Sequence, residues 1–275
     1  MDMNQVLAAE LNVKPWQVEA AVKLIDEGNT IPFISRYRKE ATGSLNDEIL
    51  RNLYDRLMYL RSLNDRKAVV LASIEEQGKL TAELKKSIEE AATLVVVEDL
   101  YRPYKPKRRT RATIAKEKGL EPLAGVITLQ MIKTPLIEEA AKYVDAEKGV
   151  TTAEEAIAGA SDIIAESISD EADYRTHIRD LTVKKGRMTS TAKDPETESV
   201  YEMYYDFDEP VAKLAGHRIL AVNRGEKEKF LTVKIEAPQE DILRYLEKKV
   251  IVRDNPQTNE VLRDVVSCLL YTSPS

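Results

Sequence analysis

The sequence predicts a mainly α protein, an elongated multi-helix scaffold with an N-terminal helix-turn-helix, a long central helix and a small β-hairpin in its C-terminal third. Three observations lead there. Charged residues of both signs make up 32% of the 275 positions and apolar ones 43%, a balance that suits a helical surface over a core and not a disordered chain. Up to about residue 185, apolar residues recur at three- and four-residue intervals. Capping residues, prolines and glycines fall where that periodicity breaks.

The first helix is expected from about Asn4 to Glu10 and the second from Pro15 to Glu27. Pro15 suits a first turn, whose N–H groups have no intrahelical acceptor, and Gly28 suits the left-handed residue past the end. Val18, Ala21, Val22 and Ile25 give the second helix one apolar stripe. Such a pair can read DNA or simply pack, and the sequence leaves both open.

A long helix follows from about Asp47 to Gln77, with Asn46 as cap, Leu45 and Leu50 as staple and Gly78 as stop. Leu50, Leu53, Leu57 and Leu60 form its seam, which Leu71 and Ile74 resume. Over 30 residues the rod is about 45 Å long. Further helices are expected from Thr81, over Leu94–Tyr101, and in three short pieces between Thr113 and Val144. A capping box at Thr152 and Glu155 opens another, and a last one of this series ends at Gly186.

Near residue 190 the pattern changes. RMTSTAKDPETE reads as a polar loop, and 217–223 (HRILAVN) and 229–236 (KFLTVKIE) read as two strands joined at Arg224-Gly225-Glu226. Helices at about 238–249 and 259–270 finish the chain. The expected organisation is an N-terminal helical domain over 1–190, the start of a central region over 191–266, and an aberrant tail over 267–275.

Composition excludes several function classes. One cysteine, Cys268, permits no disulfide framework or cysteine-based zinc site, and it reads as core. No stretch approaches the ~18 apolar residues of a membrane span, and the N-terminus has no signal-peptide pattern. The chain is expected to be cytoplasmic, with no membrane partner. There is no Walker loop, dinucleotide glycine pattern, H-E-x-x-H or catalytic triad, and the two histidines, His177 and His217, lie far apart. Asp206, Asp208 and Glu209 in YYDFDEP read as solvated charge in preference to a metal site. No catalytic residue, metal or cofactor is expected.

Net charge is −6, yet a phosphate backbone feels only charge within about 10 Å. Six basic residues stand among the eleven of Tyr101–Arg111 with no acid: Arg102, Lys105, Lys107, Arg108, Arg109 and Arg111. Pro103 and Pro106 keep the strip extended, guanidinium forks take phosphate, and Tyr101 and Tyr104 offer stacking surfaces for bases. The alternative is a loop that neutralises Glu89, Glu90, Glu98 and Asp99. A second segment, IPFISRYRKEATG, runs from apolar to basic with Arg36, Arg38 and Lys39. Its alternative is a buttress, with both arginines paired to carboxylates of the long helix.

IPFISRYRKEATGSLND, EEQGKLTAEL and EDLYRPYKPKRRTRATIAKEKGLEPLA resemble the N-terminal region of the Tex family of bacterial transcription accessory proteins. HRILAVNRGEKEKFLTVKIE is similar to the start of that family's central region. The resemblance implies a helical scaffold related to the core of a eukaryotic elongation factor acting with RNA polymerase. It also implies that a complete protein continues into an RNase-H-like domain, helix-hairpin-helix motifs and an RNA-binding OB-fold, which this stretch lacks. The function expected is therefore a non-enzymatic nucleic-acid-binding and scaffold module, with RNA or a single strand as a weakly bound partner and RNA polymerase as a further one. A protein-interaction platform without nucleic-acid contact is the alternative.

Overall fold

The computed structural model describes residues 2–106 and 109–272. The chain divides into two compact units, Met1–Tyr101 and Arg102–Ser275. The expected boundary at 190 falls inside the second of these.

In the first unit, α1 (Met3–Leu11) and α2 (Pro15–Asp26) are joined by the turn 12–14, where Asn12 takes a left-handed conformation at φ 52°. Helices α3 (Ile31–Tyr37) and α4 (Lys39–Thr42) follow, then α5 (Asp47–Glu76), α6 (Ala82–Glu90) and α7 (Leu94–Tyr101). The cap of α5 forms as the sequence indicates, Asn46 accepting from the Ile49 amide at 2.8 Å. Leu45, Leu50, Leu53 and Leu57 are buried with Leu7, Val18, Ala21, Ile25 and Ile34 in one core. Beyond that core the buried stripe of α5 passes through Leu63, Val70 and Ile74, not Leu71. Lys67 lies along it with its amine donating to the Glu89 carbonyl at 2.8 Å, and burial pulls that amine below its ordinary pKa.

Three ion pairs tie the small helices to α5: Arg56 to Glu10, Arg61 to Asp26 and Arg66 to Glu98. Arg51 takes Asp47 within the helix. The arginines of α5 thus occupy carboxylates both on and around it.

The second unit begins with a 3-10 turn, Arg102–Tyr104, and then α8 (Arg111–Glu117), α9 (Glu121–Leu129), α10 (Leu136–Ala141), α11 (Ala153–Asp170) and α12 (Ala172–Lys185). Thr152 caps α11 by accepting from the Glu155 amide at 3.2 Å, while Glu155 reaches back to the Thr151 amide at 2.7 Å. Ala156, Ala160, Ile163, Ile164 and Ile168 of α11 form the centre of the larger core, which α8, α9, α14 (Gln239–Val250) and α15 (Asn259–Thr272) surround. A buried polar clasp closes it. Asn255 donates to the carbonyls of Gln130 and Ile132 at 3.1 and 2.9 Å, and Gln130 donates to the Val250 carbonyl at 2.7 Å.

The small sheet is three-stranded and antiparallel, in the order β2 (Asp206–Pro210), β1 (Arg187–Ala192), β3 (Leu231–Glu236). This corrects the sequence reading in two places. Residues 187–192 are the central strand, not a loop, with Met188 and Ser190 buried. Residues 217–223 are not a strand but part of helix α13 (Gly216–Lys227). Gly225 is no turn residue: a Cβ there would lie 2.6 Å from Leu231 Cδ1, so the glycine allows the helix to lie close on β3. Cys268 is exposed, where core was expected. No described helix is long and apolar enough to cross a membrane.

Candidate nucleic-acid interface

The proline-containing strip is less open than its sequence implies. Tyr101 is buried, its hydroxyl 3.0 Å from that of Ser73 and its ring beneath the Arg66 guanidinium at 5.5 Å. It is not an exposed stacking surface, because α7 turns its ring inward. Arg102 donates to Asp170 at 3.0 Å, the carboxylate being only 11% exposed. Arg109 pairs with Glu117 at 2.7 Å, with both side chains more than half exposed. Tyr104 is half-buried and Lys105 exposed. Lys107 and Arg108 lie outside the described residues.

Arg111 opens α8 and lines a cleft of about 300 Å³ with Lys118, Glu155, Gly159 and Asp162. Burial raises the Asp162 carboxyl above its ordinary value, and the charge of Arg111 opposes that rise. Arg102 and Arg109 use Asp170 and Glu117, and Arg66 takes Glu98.

The second segment behaves in the opposite way. Ile34 is fully buried and anchors α3, while Arg36, Tyr37, Arg38 and Lys39 are all exposed. Tyr37 is 67% exposed and 5.4 Å from the Phe33 ring, over which the Arg38 guanidinium lies at 5.1 Å. Among the described residues no carboxylate pairs with Arg36, Arg38 or Lys39. The expected buttress does not form. Carboxylates at Glu10, Asp26 and Asp47 are held instead by the arginines of α5. Glu40 is the one acid within residues 31–43.

An aromatic that the sequence reading passed over adjoins this patch. Trp16, at the start of α2, is 48% exposed. Its ring lies so close to Gly43 that a Cβ there would be 2.4 Å from it. Gln17 donates to the carbonyls of Thr42 and Gly43 at 3.2 and 3.1 Å, which fixes α2 against the end of α4. Its signal was a single tryptophan directly after the helix-opening Pro15, where a side chain faces outward.

The arrangement can hold a flexible polyanion. Three cations that pair with no carboxylate among the described residues supply charge, and exposed rings supply faces on which bases stack. Among the described residues no group of acids, histidines or cysteines is placed to hold a metal ion. Asp208 and Glu209 are engaged by Arg187 and Arg218 at 2.6 and 2.7 Å.

Comparison with known proteins agrees with the family resemblance. Residues 1–75 match the model of the Tex-like protein N-terminal domain, and residues 133–266 match that of the Tex central region-like family. The chain is 47% identical over 96% of its length to the Bacillus subtilis protein YdcI, covering 37% of that protein. It is 43% identical over 88% of its length to the transcriptional accessory protein Tex of Neisseria gonorrhoeae, covering 32%. It is 30% identical over 85% of its length to the human S1 RNA-binding domain-containing protein 1, covering 24%. The chain therefore spans about a third or less of the length of these relatives. With both models matched in order, the chain belongs to the Tex-like family of transcription accessory proteins, of which it carries the N-terminal domain and central region.

Proposed function

We propose that this chain is a non-enzymatic, cytoplasmic binding and scaffold module of a transcription accessory factor that works alongside RNA polymerase, and that it takes single-stranded nucleic acid, RNA foremost, on the α3–α4 patch. One observation carries the reading: Arg36, Arg38 and Lys39 face solvent without a carboxylate partner among the described residues, beside the exposed ring of Tyr37. Arg102 and Arg109 of the strip contribute less, since each spends part of its attraction on an internal carboxylate. The names of two relatives, one a transcriptional accessory protein and one containing an S1 RNA-binding domain, support a role near nucleic acid.

The test is fluorescence anisotropy with a labelled single-stranded RNA at about 0.1 M salt, where surface electrostatics still operate. Arg36→Ala/Arg38→Ala/Lys39→Ala abolishes most binding, Tyr37→Ala costs about 1–3 kcal/mol, and Arg109→Ala/Arg111→Ala costs less than the triple change. Binding that survives the triple change removes the patch from the account. Capture of RNA polymerase that persists after nuclease treatment and high salt, together with no RNA binding, favours a protein platform instead.

A further inference from the structure

Helix α13 turns Val222 and Gly225 inward, with Ile219 and Ala221 half-buried. Its other side carries His217, Leu220, Asn223, Arg224 and Lys227, all exposed, with Leu220 at 71%. At about 100° and 1.5 Å per residue, His217, Leu220, Arg224 and Lys227 fall within an arc of about 80° and along about 15 Å. They form one ridge.

Among the described residues the cations of this ridge, Arg224 and Lys227, form no ion pair, while Arg224 lies near enough to the Tyr201 hydroxyl to act on it. Arg218, the cation of α13 outside the arc, is held by Glu209 at 2.7 Å. Glu228, four residues beyond Arg224, is the acid nearest the arc, and after burial its carboxylate helps raise the Tyr201 hydroxyl above its ordinary value. Glu226 projects roughly 100° away from Lys227. Lys213 and Lys229, just outside the two ends of the helix, are exposed as well.

We infer that the outward ridge of α13 is a second nucleic-acid contact, in which Arg224 and Lys227 neutralise backbone phosphates while Leu220 lies against a sugar or base. This rests on the proposed nucleic-acid role but adds a site in the other compact unit, built from residues that the patch does not share. Phosphate is the better occupant than a protein surface. A protein interface needs a desolvated centre with aromatic anchors, and the ridge offers a single leucine between cations. The exposed Val200 and Met203 do not extend it, because they flank Tyr201, whose ring lies by Gly225 on the inward side of the helix.

The experiment is a salt titration of the whole chain from about 50 to 200 mM with labelled single-stranded RNA, single-stranded DNA and duplex DNA. Arg224→Ala/Lys227→Ala is compared with the unaltered chain, and an unchanged thermal midpoint verifies that the fold is intact. The double change is expected to weaken binding roughly five- to tenfold. It is also expected to flatten the slope of log K against log salt by about 1.4 for single strands or about 1.8 for duplex, two phosphates in either case. The probe most affected identifies the strand form. Unchanged affinity and slope in the double variant, while the unaltered chain binds, overturn the ridge alone and leave the patch at 36–39 standing. A loss of affinity with no change of slope also overturns it, since phosphate contact demands the slope. If the unaltered chain binds none of the three probes, the parent reading falls and the ridge with it.

Discussion

Arg102 donates to Asp170 at 3.0 Å, pinning the first cation of the proline strip to the last residue of α11. The site is favourable for a cation, because the carbonyls at a helix C-terminus add negative potential to the carboxylate. Asp170→Ala is expected to lower stability by about 1–2 kcal/mol, the worth of a partly buried hydrogen bond between charged groups, read from the denaturant midpoint. The same variant frees Arg102, so RNA affinity should hold or rise. A fall in affinity at unchanged stability contradicts the view that this arginine serves the fold first.

The ion pairs of α5 set an acid limit. Arg56, through its hydrogen bond, holds the Glu10 carboxyl below the ordinary 4.5, and Arg61 holds Asp26 below the ordinary 3.8. A carboxyl depressed in the fold adds stability above its unfolded value and loses it as pH falls through the folded value. All four side chains are 34–47% exposed, so each pair is worth only a few tenths of a kcal/mol up to about 1. Glu10→Gln/Asp26→Asn should therefore lower the thermal midpoint slightly at pH 7, with the gap closing progressively below about pH 5. A gap that widens in acid has the wrong sign.

The polar clasp should matter more than any surface pair. Asn255→Ala removes two donors from the Gln130 and Ile132 carbonyls inside the core. The cost expected is about 2–3 kcal/mol, since buried acceptors are left without partners. A change within about 0.5 kcal/mol, the range of ordinary surface substitutions, contradicts a supporting role for the clasp.

Gly186 is the hinge from α12 into the sheet. A Cβ there would lie 2.4 Å from the Thr182 carbonyl oxygen, a backbone atom with no freedom to rotate away. Gly186→Ala should cost about 1–3 kcal/mol by overpacking, measured by chemical unfolding. A neutral result means that the turn can open without disturbing β1.

The helical part of this fold is legible because its signals are local. Asn46, Thr81 and Thr152 cap where a capping residue precedes an apolar period, and their side chains accept the expected amides. The sheet is less legible. Ser190 is buried in its central strand only because its hydroxyl donates to the Tyr204 carbonyl at 2.6 Å, so a core position carries a polar residue. Gly225 misleads in the other direction: chosen for close packing inside a helix, it reads as a turn between strands. The site shows the same division. Residue types mark two basic segments, but only the placement of Glu117, Asp170 and the arginines of α5 tells which cations are already engaged.

On the proposed reading, Arg36, Arg38 and Lys39, which have no carboxylate partner among the described residues, draw in a single strand. The salt dependence of RNA binding measures it most directly, comparing the unaltered chain with Arg36→Ala/Arg38→Ala/Lys39→Ala. Loss of three phosphate contacts should flatten the slope of log K against log salt by about 2 at an unchanged thermal midpoint. Parallel slopes for the two proteins would mean that these three cations touch no phosphate.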